Sequence, residues 1–120
     1  MKKVLLVVPV HNRPVEVKKL LTSLCKLNVV GIDLSVTVID DGSNEDFYQV
    51  IKPFESRHLK ISLIKNRVSK GPGFSRNIAC NSFDGDYIWF LDSDTEIINP
   101  NCLKRMIEAL KSDKALAGVG

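Results

Sequence analysis

From Val4 to Val10 the chain runs seven residues without a charge or a hydrogen-bonding side chain, and four of them are valine. Such a run is short for a helix and too β-branched to favour one, so it reads as a strand buried on both faces. A strand of that kind belongs inside a parallel sheet. Parallel neighbours cannot be joined by tight hairpins. Each step needs a crossover of about a dozen residues or more, usually a helix. This one segment therefore commits the chain to alternating strands and helices. Pro9 has no N–H to donate, so pairing is expected to fail near the end of the strand.

The alternation is there. Asn12 can cap a helix and Pro14 suits its first turn. Val17, Leu20, Leu21, Leu24 and Leu27 form the apolar stripe of that helix. Lys18, Lys19, Ser23 and Lys26 lie off the stripe and read as a solvated face. Leu34 to Ile39 is a second β-branched strand, running into Asp40-Asp41-Gly42-Ser43. Ser43 or Asn44 can cap the next helix, with Phe47, Val50, Ile51 and Phe54 on one face; Pro53 should kink or end it. Between Leu59 and Ile64 apolar and polar residues alternate, which places a third strand nearer the sheet edge. A polar loop from Asn66 to Gly73 leads to a helix marked by Phe74, Ile78 and Phe83. Tyr87-Ile88-Trp89-Phe90-Leu91 is a fourth, buried strand. Asn99-Pro100 opens a helix with Leu103, Met106, Ile107 and Leu110 on one face, and Ala115 to Val119 can begin a further strand. The fold class is α/β, a Rossmann-like, mostly parallel sheet with helices on both faces. The 120 residues suffice for one domain with a real core.

The chemistry-bearing residues sort themselves onto one edge of that sheet. His11 and Asn12, Asp40 and Asp41, the loop and helix start from Gly71 to Asn77, and Asp92 with Asp94 all follow strands. In open parallel sheets ligands bind outside the C-terminal ends of the strands. Asp92 and Asp94, one residue apart, repel each other unless a cation joins them, and hard oxygen ligands suit Mg²⁺ or Mn²⁺. Gly71 and Gly73 before a helix let backbone N–H groups approach an anion.

Bulk properties exclude other classes. The formal net charge of +3 is spread along the chain and does not argue for nucleic acid. Cys25, Cys80 and Cys102 lack metal-ligand spacing and fall in apolar helical patterns, so they read as buried thiols of a reducing compartment. Pro9 and the polar His11-Asn12-Arg13 end the first apolar run too early for a signal peptide, and no segment is long enough to span a membrane.

Four motifs together carry a resemblance. Val8-Pro9-Val10-His11-Asn12, Asp40-Asp41-Gly42-Ser43, Asn66 with Gly71 and Ser75-Arg76-Asn77, and Asp92-Ser93-Asp94 occur in the order and rough spacing of family-2 glycosyltransferases of the GT-A fold. The resemblance covers nearly the whole chain. It implies transfer of a sugar, with inversion, from a nucleotide diphosphate sugar to an acceptor hydroxyl. The acceptor is unspecified: a glycan, a lipid-linked group or a protein. It also implies Mn²⁺ or Mg²⁺ as cofactor. Its setting would be the cytoplasm, or a cytoplasmic membrane face reached through regions outside this chain.

By the same resemblance, Asp41 accepts the base N–H. That favours UDP, with dTDP and GDP behind it, because cytosine and adenine offer no ring N–H on that edge. Pro9, His11, Asn12, Gly71 and Arg76 line the nucleotide; His11 equally reads as a surface turn residue, and Arg76 as a helix-surface cation. Asp92 holds the ribose and Asp94 the metal. Asp40 orients backbone. Family members continue well beyond this length, and no residue after Asp94 is a persuasive catalytic base. The base is expected downstream of Gly120, so residues 1–120 read as a donor portion, inactive alone. Trp89-Phe90-Leu91-Asp92-Ser93-Asp94-Thr95 also resembles the motif of haloacid-dehalogenase-type phosphohydrolases, which normally opens the chain. A non-catalytic domain retaining the fold is the other alternative.

Overall fold

β1 (Lys2–Val10) forms the middle of the sheet in the computed structural model, which describes residues 1–55, 60–66, 68, 70–71, 74, 77–78, 81 and 83–112. The chain continues through α1 (Pro14–Cys25), β2 (Ile32–Asp41), α2 (Phe47–Ile51), a 3₁₀ turn at Lys52–Phe54, β3 (Lys60–Asn66), β4 (Tyr87–Phe90) and α3 (Cys102–Ser112). The strand order is β3-β2-β1-β4 and every pairing is parallel. β3 is at an edge, where its alternating pattern put it. The change from α2 to a 3₁₀ turn includes Pro53, which cannot supply the N–H an α-helix needs there.

The two faces of β1 bury different sets. Val4, Leu6, Val8 and Val10 join Leu34, Val36 and Val38 of β2 under the stripes of α1, α2 and α3, including Val17, Leu20, Leu21, Phe47, Leu103 and Ile107. Leu5, Val7 and Ile39 face the other way, with Ile64, Phe83 and Ile88 against them. Phe83 does not sit on a helix as expected. It follows the helical residues Phe74, Asn77, Ile78 and Asn81 and packs on the face opposite α1. Leu6, Leu20 and Leu21 are fully buried. Each contributes roughly 1.5–3 kcal/mol by leaving water.

Several local expectations are corrected. Pairing does not fail at Pro9: the β2 ladder continues through Pro9 opposite Ile39 and Val10 opposite Asp40. The main-chain groups of odd-numbered β1 residues face β4, as Lys3 O accepts from Asp86 N and Val7 O from Leu91 N. Pro9 shares that side, beyond the last β4 partner, so its missing N–H removes no ladder bond. The N-cap of α1 is Arg13, not Asn12, and no side chain caps it. The N-cap of α2 is Asp46, whose carboxylate accepts from Tyr48 N, rather than Ser43 or Asn44. Cys25 is exposed, because it lies one position past Leu24 and so off the buried stripe. Ser23 is buried, because its hydroxyl finds partners there. Leu59, Cys80 and the segment from Ala115 to Val119 lie outside the described residues.

Candidate functional site

The chain steps from β1 to β2 to β3 in one direction, then returns to place β4 on the other side of β1. The strand order therefore reverses between β1 and β4. That reversal opens a crevice at the C-terminal ends of the strands, the usual ligand position of an open α/β sheet. His11 and Asn12 leave β1 at this edge, Asp40 and Asp41 end β2, and Asp92 and Asp94 follow β4.

The loops after β1 and β2 are tied to each other. His11 Nδ1 lies 2.6 Å from the main-chain O of Asp41. A carbonyl only accepts, so Nδ1 carries the proton. Asn12 N donates to Ser43 Oγ at 2.6 Å, and Asn44 N donates to Asn12 Oδ1 at 3.0 Å. These bonds hold two successive non-glycine residues in the left-handed region, Asn12 at φ 57° and Arg13 at φ 62°. Such residues cost on the order of 1–3 kcal/mol each and persist where surroundings over-determine them.

Asp40 and Asp41 are both buried but differently satisfied. Asp40 Oδ1 accepts from Ser43 N at 3.0 Å, the backbone-orienting role its position suggested. Its Oδ2 is buried without a hydrogen-bond partner among the described residues. Asp41 Oδ1 accepts from Asn66 Nδ2 at 3.1 Å and Lys70 N at 2.8 Å, and Oδ2 accepts from Gly71 N at 2.8 Å. One carboxylate thus fastens the end of β3 and the following loop to the end of β2. Gly71 has φ +86°, which an L side chain adopts only under strain. The Lys70 ammonium lies 5.0 Å from the centre of the Phe74 ring, a further hold on this loop. Sequence reasoning placed Asn66 in a motif without a role. Its amide is Asp41's side-chain partner, a pairing that needed the parallel register of Asp41 opposite Asn66.

The β4 side is open. Asp92 and Asp94 are exposed, in a turn where Thr95 N donates to Asp92 O at 3.1 Å. No cluster of three or more His, Cys, Asp or Glu able to hold a metal occurs among the described residues. Mg²⁺ and Mn²⁺ do not require such a cage, because one or two carboxylates plus substrate phosphates serve. An exposed carboxylate pair at the crevice fits that mode. Pro9, the last but one residue of β1, reaches the same edge, whereas Arg76 lies outside the described residues. A cavity of about 750 Å³ lies elsewhere, along β4 and α3 between Trp89, Phe90, Met106 and Leu110, and none of the carboxylates Asp41, Asp92 and Asp94 lines it. Burial pushes the Cys102 thiol above its ordinary value, with backbone hydrogen bonds opposing the shift.

The fold and the sequence both have counterparts among known proteins. The family model described as glycosyl transferase family 2 matches residues 5–120. The poly(ribitol-phosphate) beta-N-acetylglucosaminyltransferase TarS of Staphylococcus aureus is 33% identical over 105 residues, which are 87% of this chain and 18% of TarS. The poly(ribitol-phosphate) beta-glucosyltransferase of Bacillus spizizenii is 30% identical over 96 residues, 79% of this chain and 15% of that protein. The chain therefore spans less than a fifth of these two relatives. The crystal structure of S. aureus TarS in complex with UDP-GlcNAc superposes with a TM-score of 0.78 at 27% identity, covering 92% of this chain and 31% of that one. A mannosyltransferase of Pyrobaculum calidifontis in complex with GDP-Man and Mn²⁺ has a TM-score of 0.80 at 20% identity, over 99% of this chain and 34% of that one, and shares the fold. With the family's model matched over residues 5–120 and the fold superposing on TarS at a TM-score of 0.78 over 92% of the chain, this chain belongs to glycosyl transferase family 2.

Proposed function

We propose that the protein transfers a sugar from a nucleotide diphosphate sugar, UDP-sugar first, to an acceptor hydroxyl with inversion, and that this chain forms the donor half. The observation that carries the reading is the convergence at the β1–β4 reversal. A pre-tied rim built on Asp41, His11 and Asn12 lies at the strand-end edge that also carries the exposed carboxylates Asp92 and Asp94. The rim suits a base and the open pair suits a diphosphate. The UDP-GlcNAc bound by TarS supports UDP as the first donor to try.

Asp41 receives the N3–H of uracil in this reading while keeping the Lys70–Gly71 loop in place. Cytosine would present an acceptor to the same carboxylate. Asp92 holds the ribose and Asp94 takes Mg²⁺ or Mn²⁺. When bound there with the diphosphate, the cation would stabilise the charge that develops on the leaving group. Pro9, His11, Asn12 and Gly71 shape the nucleotide side, and Arg76 is proposed to face it. The acceptor's general base belongs to sequence outside this chain. The phosphohydrolase alternative is not favoured: its carboxylate motif here ends the fourth strand rather than the first.

Calorimetry and thermal shift with UDP, dTDP, GDP and CDP, each with Mn²⁺, Mg²⁺ or EDTA, test the proposal. UDP with metal should stabilise the fold by roughly 2.7 kcal/mol at 100 times its dissociation constant. UDP should exceed CDP by about 1–3 kcal/mol, the cost of an unpaired buried polar group. Equal UDP and CDP affinities would remove Asp41 from base recognition. No response to any nucleotide would leave a non-catalytic domain with this fold. Sugar transfer is then measured with the protein at its natural length.

A further inference from the structure

A second concave feature lies away from the nucleotide rim. A groove of about 500 Å³ runs between α1 and the stretch at residues 96–98. Val15, Lys18, Lys19 and Lys26 reach it from α1, and Glu96 and Ile98 from the other wall. The spacing of 15, 18, 19 and 26 puts those four side chains on one helix face, opposite the buried stripe. The wall is fixed to the helix, because Ile97 N donates to Ser23 Oγ at 3.1 Å while that hydroxyl donates to Leu20 O.

Two properties of the groove do not fit a plain solvated face. Three ammonium groups stand against one carboxylate, so the lining is cationic. Between them project apolar side chains that the fold does not use: Ile98 is 91% exposed and Val15 59% exposed. Lysine stems cover apolar surface while their charged heads reach for anions, and branched aliphatic side chains beside them gain only if they enter an apolar medium.

We propose that this face docks on an anionic lipid bilayer, with Lys18, Lys19 and Lys26 on headgroup phosphates and Ile98 and Val15 in the headgroup–acyl boundary. A bilayer fits better than an acidic peptide because Ile98 at 91% exposure and Val15 at 59% lie at the groove's outer edge, too exposed to enclose a partner's anchor residue. Attachment would be peripheral, since among the described residues no helix is long and apolar enough to cross a membrane. α1 begins beside the His11–Asn12 loop, so a bilayer seated on Val15 and Lys18 would lie next to the nucleotide rim.

The test is co-sedimentation of the natural-length protein with phosphatidylcholine vesicles, with and without an equal share of phosphatidylglycerol, at low and high salt. The protein should pellet with the anionic vesicles only, and high salt should release it. Lys18→Gln with Lys19→Gln should weaken binding by roughly fivefold per lysine, and Ile98→Ser should weaken it further. Lys60→Gln, an exposed lysine on β3, should leave it unchanged. Circular dichroism melting confirms that the variants stay folded. Equal pelleting with neutral vesicles, or full binding by the folded double-lysine variant, would overturn the proposal. So would absence of vesicle binding together with lysine-dependent capture of polyglutamate, which would assign the groove to an acidic protein partner.

Discussion

The two sides of the crevice are built in opposite ways. On the β1–β2 side every polar residue of interest is tied down: His11 to Asp41, Asn12 to Ser43 and Asn44, and Asp41 to Asn66, Lys70 and Gly71. On the β4 side Asp92 and Asp94 stand exposed on a short turn. The first side holds its geometry before any ligand arrives. The second keeps both carboxylates at the surface, where a cation and a diphosphate can reach them. Mutations on the first side should therefore act on stability and shape, and on the second side on ligand binding alone.

The sharpest break of that contrast is Asp94→Ala. It should abolish metal-dependent nucleotide binding, with a loss of about 100-fold or more for a group that acts through charge on the phosphates. The melting temperature without ligand should stay within a degree or two, because the side chain is exposed. Unchanged Mn²⁺-dependent UDP affinity by calorimetry would sink the metal assignment. Asp41→Asn is the counterpart on the tied side. An amide cannot accept at both ends, so either Gly71 N or the Lys70–Asn66 pair loses its acceptor. Denaturant unfolding should show a cost of about 2–3 kcal/mol even without nucleotide. A loss of UDP binding with no loss of stability would mean that the tie to the loop is incidental.

Smaller effects sharpen the same comparison. Asn12→Ala removes the acceptor for Asn44 N and leaves a Cβ-bearing residue at φ 57°, and should cost about 1–2 kcal/mol in chemical denaturation. Asp40→Asn should cost about 1 kcal/mol. Its carbonyl oxygen still accepts from Ser43 N and a buried charge is removed, but an amide NH₂ then takes the position of Oδ2, which has no partner among the described residues. A cost as large as that of Asp41→Asn would show that Asp40 Oδ2 has an unrecognised function. The smallest effect needs no mutation. Cys25 is exposed, whereas burial raises the Cys102 thiol. Iodoacetamide should label Cys25 first, and Cys102 labelling should lag and need higher pH, as read by peptide mass spectrometry. Equal rates at pH 8 would contradict the raised thiol of the half-buried Cys102. The stability sign follows from the same shift: a raised thiol favours the folded state below about pH 9, its ordinary value, and that contribution fades as pH rises through the folded value.

The sequence alone determined the α/β class, the parallel pairing, the apolar stripes and the family. These depend on local quantities. An apolar valine-rich run cannot be satisfied at a one-sided surface, and stripes at 17, 20, 21 and 24 have one helical solution. It also placed the candidate residues at strand C-terminal ends or in the loops after them, because periodicity shows where strands end. Tertiary structure decided what no local pattern contains. The order β3-β2-β1-β4 puts the reversal between β1 and β4, so the ends of β1 and β4 that lead to His11 and Asn12 and to Asp92 and Asp94 are neighbours although some eighty residues separate them. The register of β2 against β3 sets Asn66 opposite Asp41 and turns a base-contact candidate into the anchor of a loop as well. Capping went the same way. Asn12 and Ser43 looked like helix caps by composition, but each hydroxyl or amide has few bonds to make. Here the two loops occupy each other's capping groups: Asn12 Oδ1 accepts from Asn44 N and Ser43 Oγ accepts from Asn12 N, so neither oxygen is left for a helix N–H.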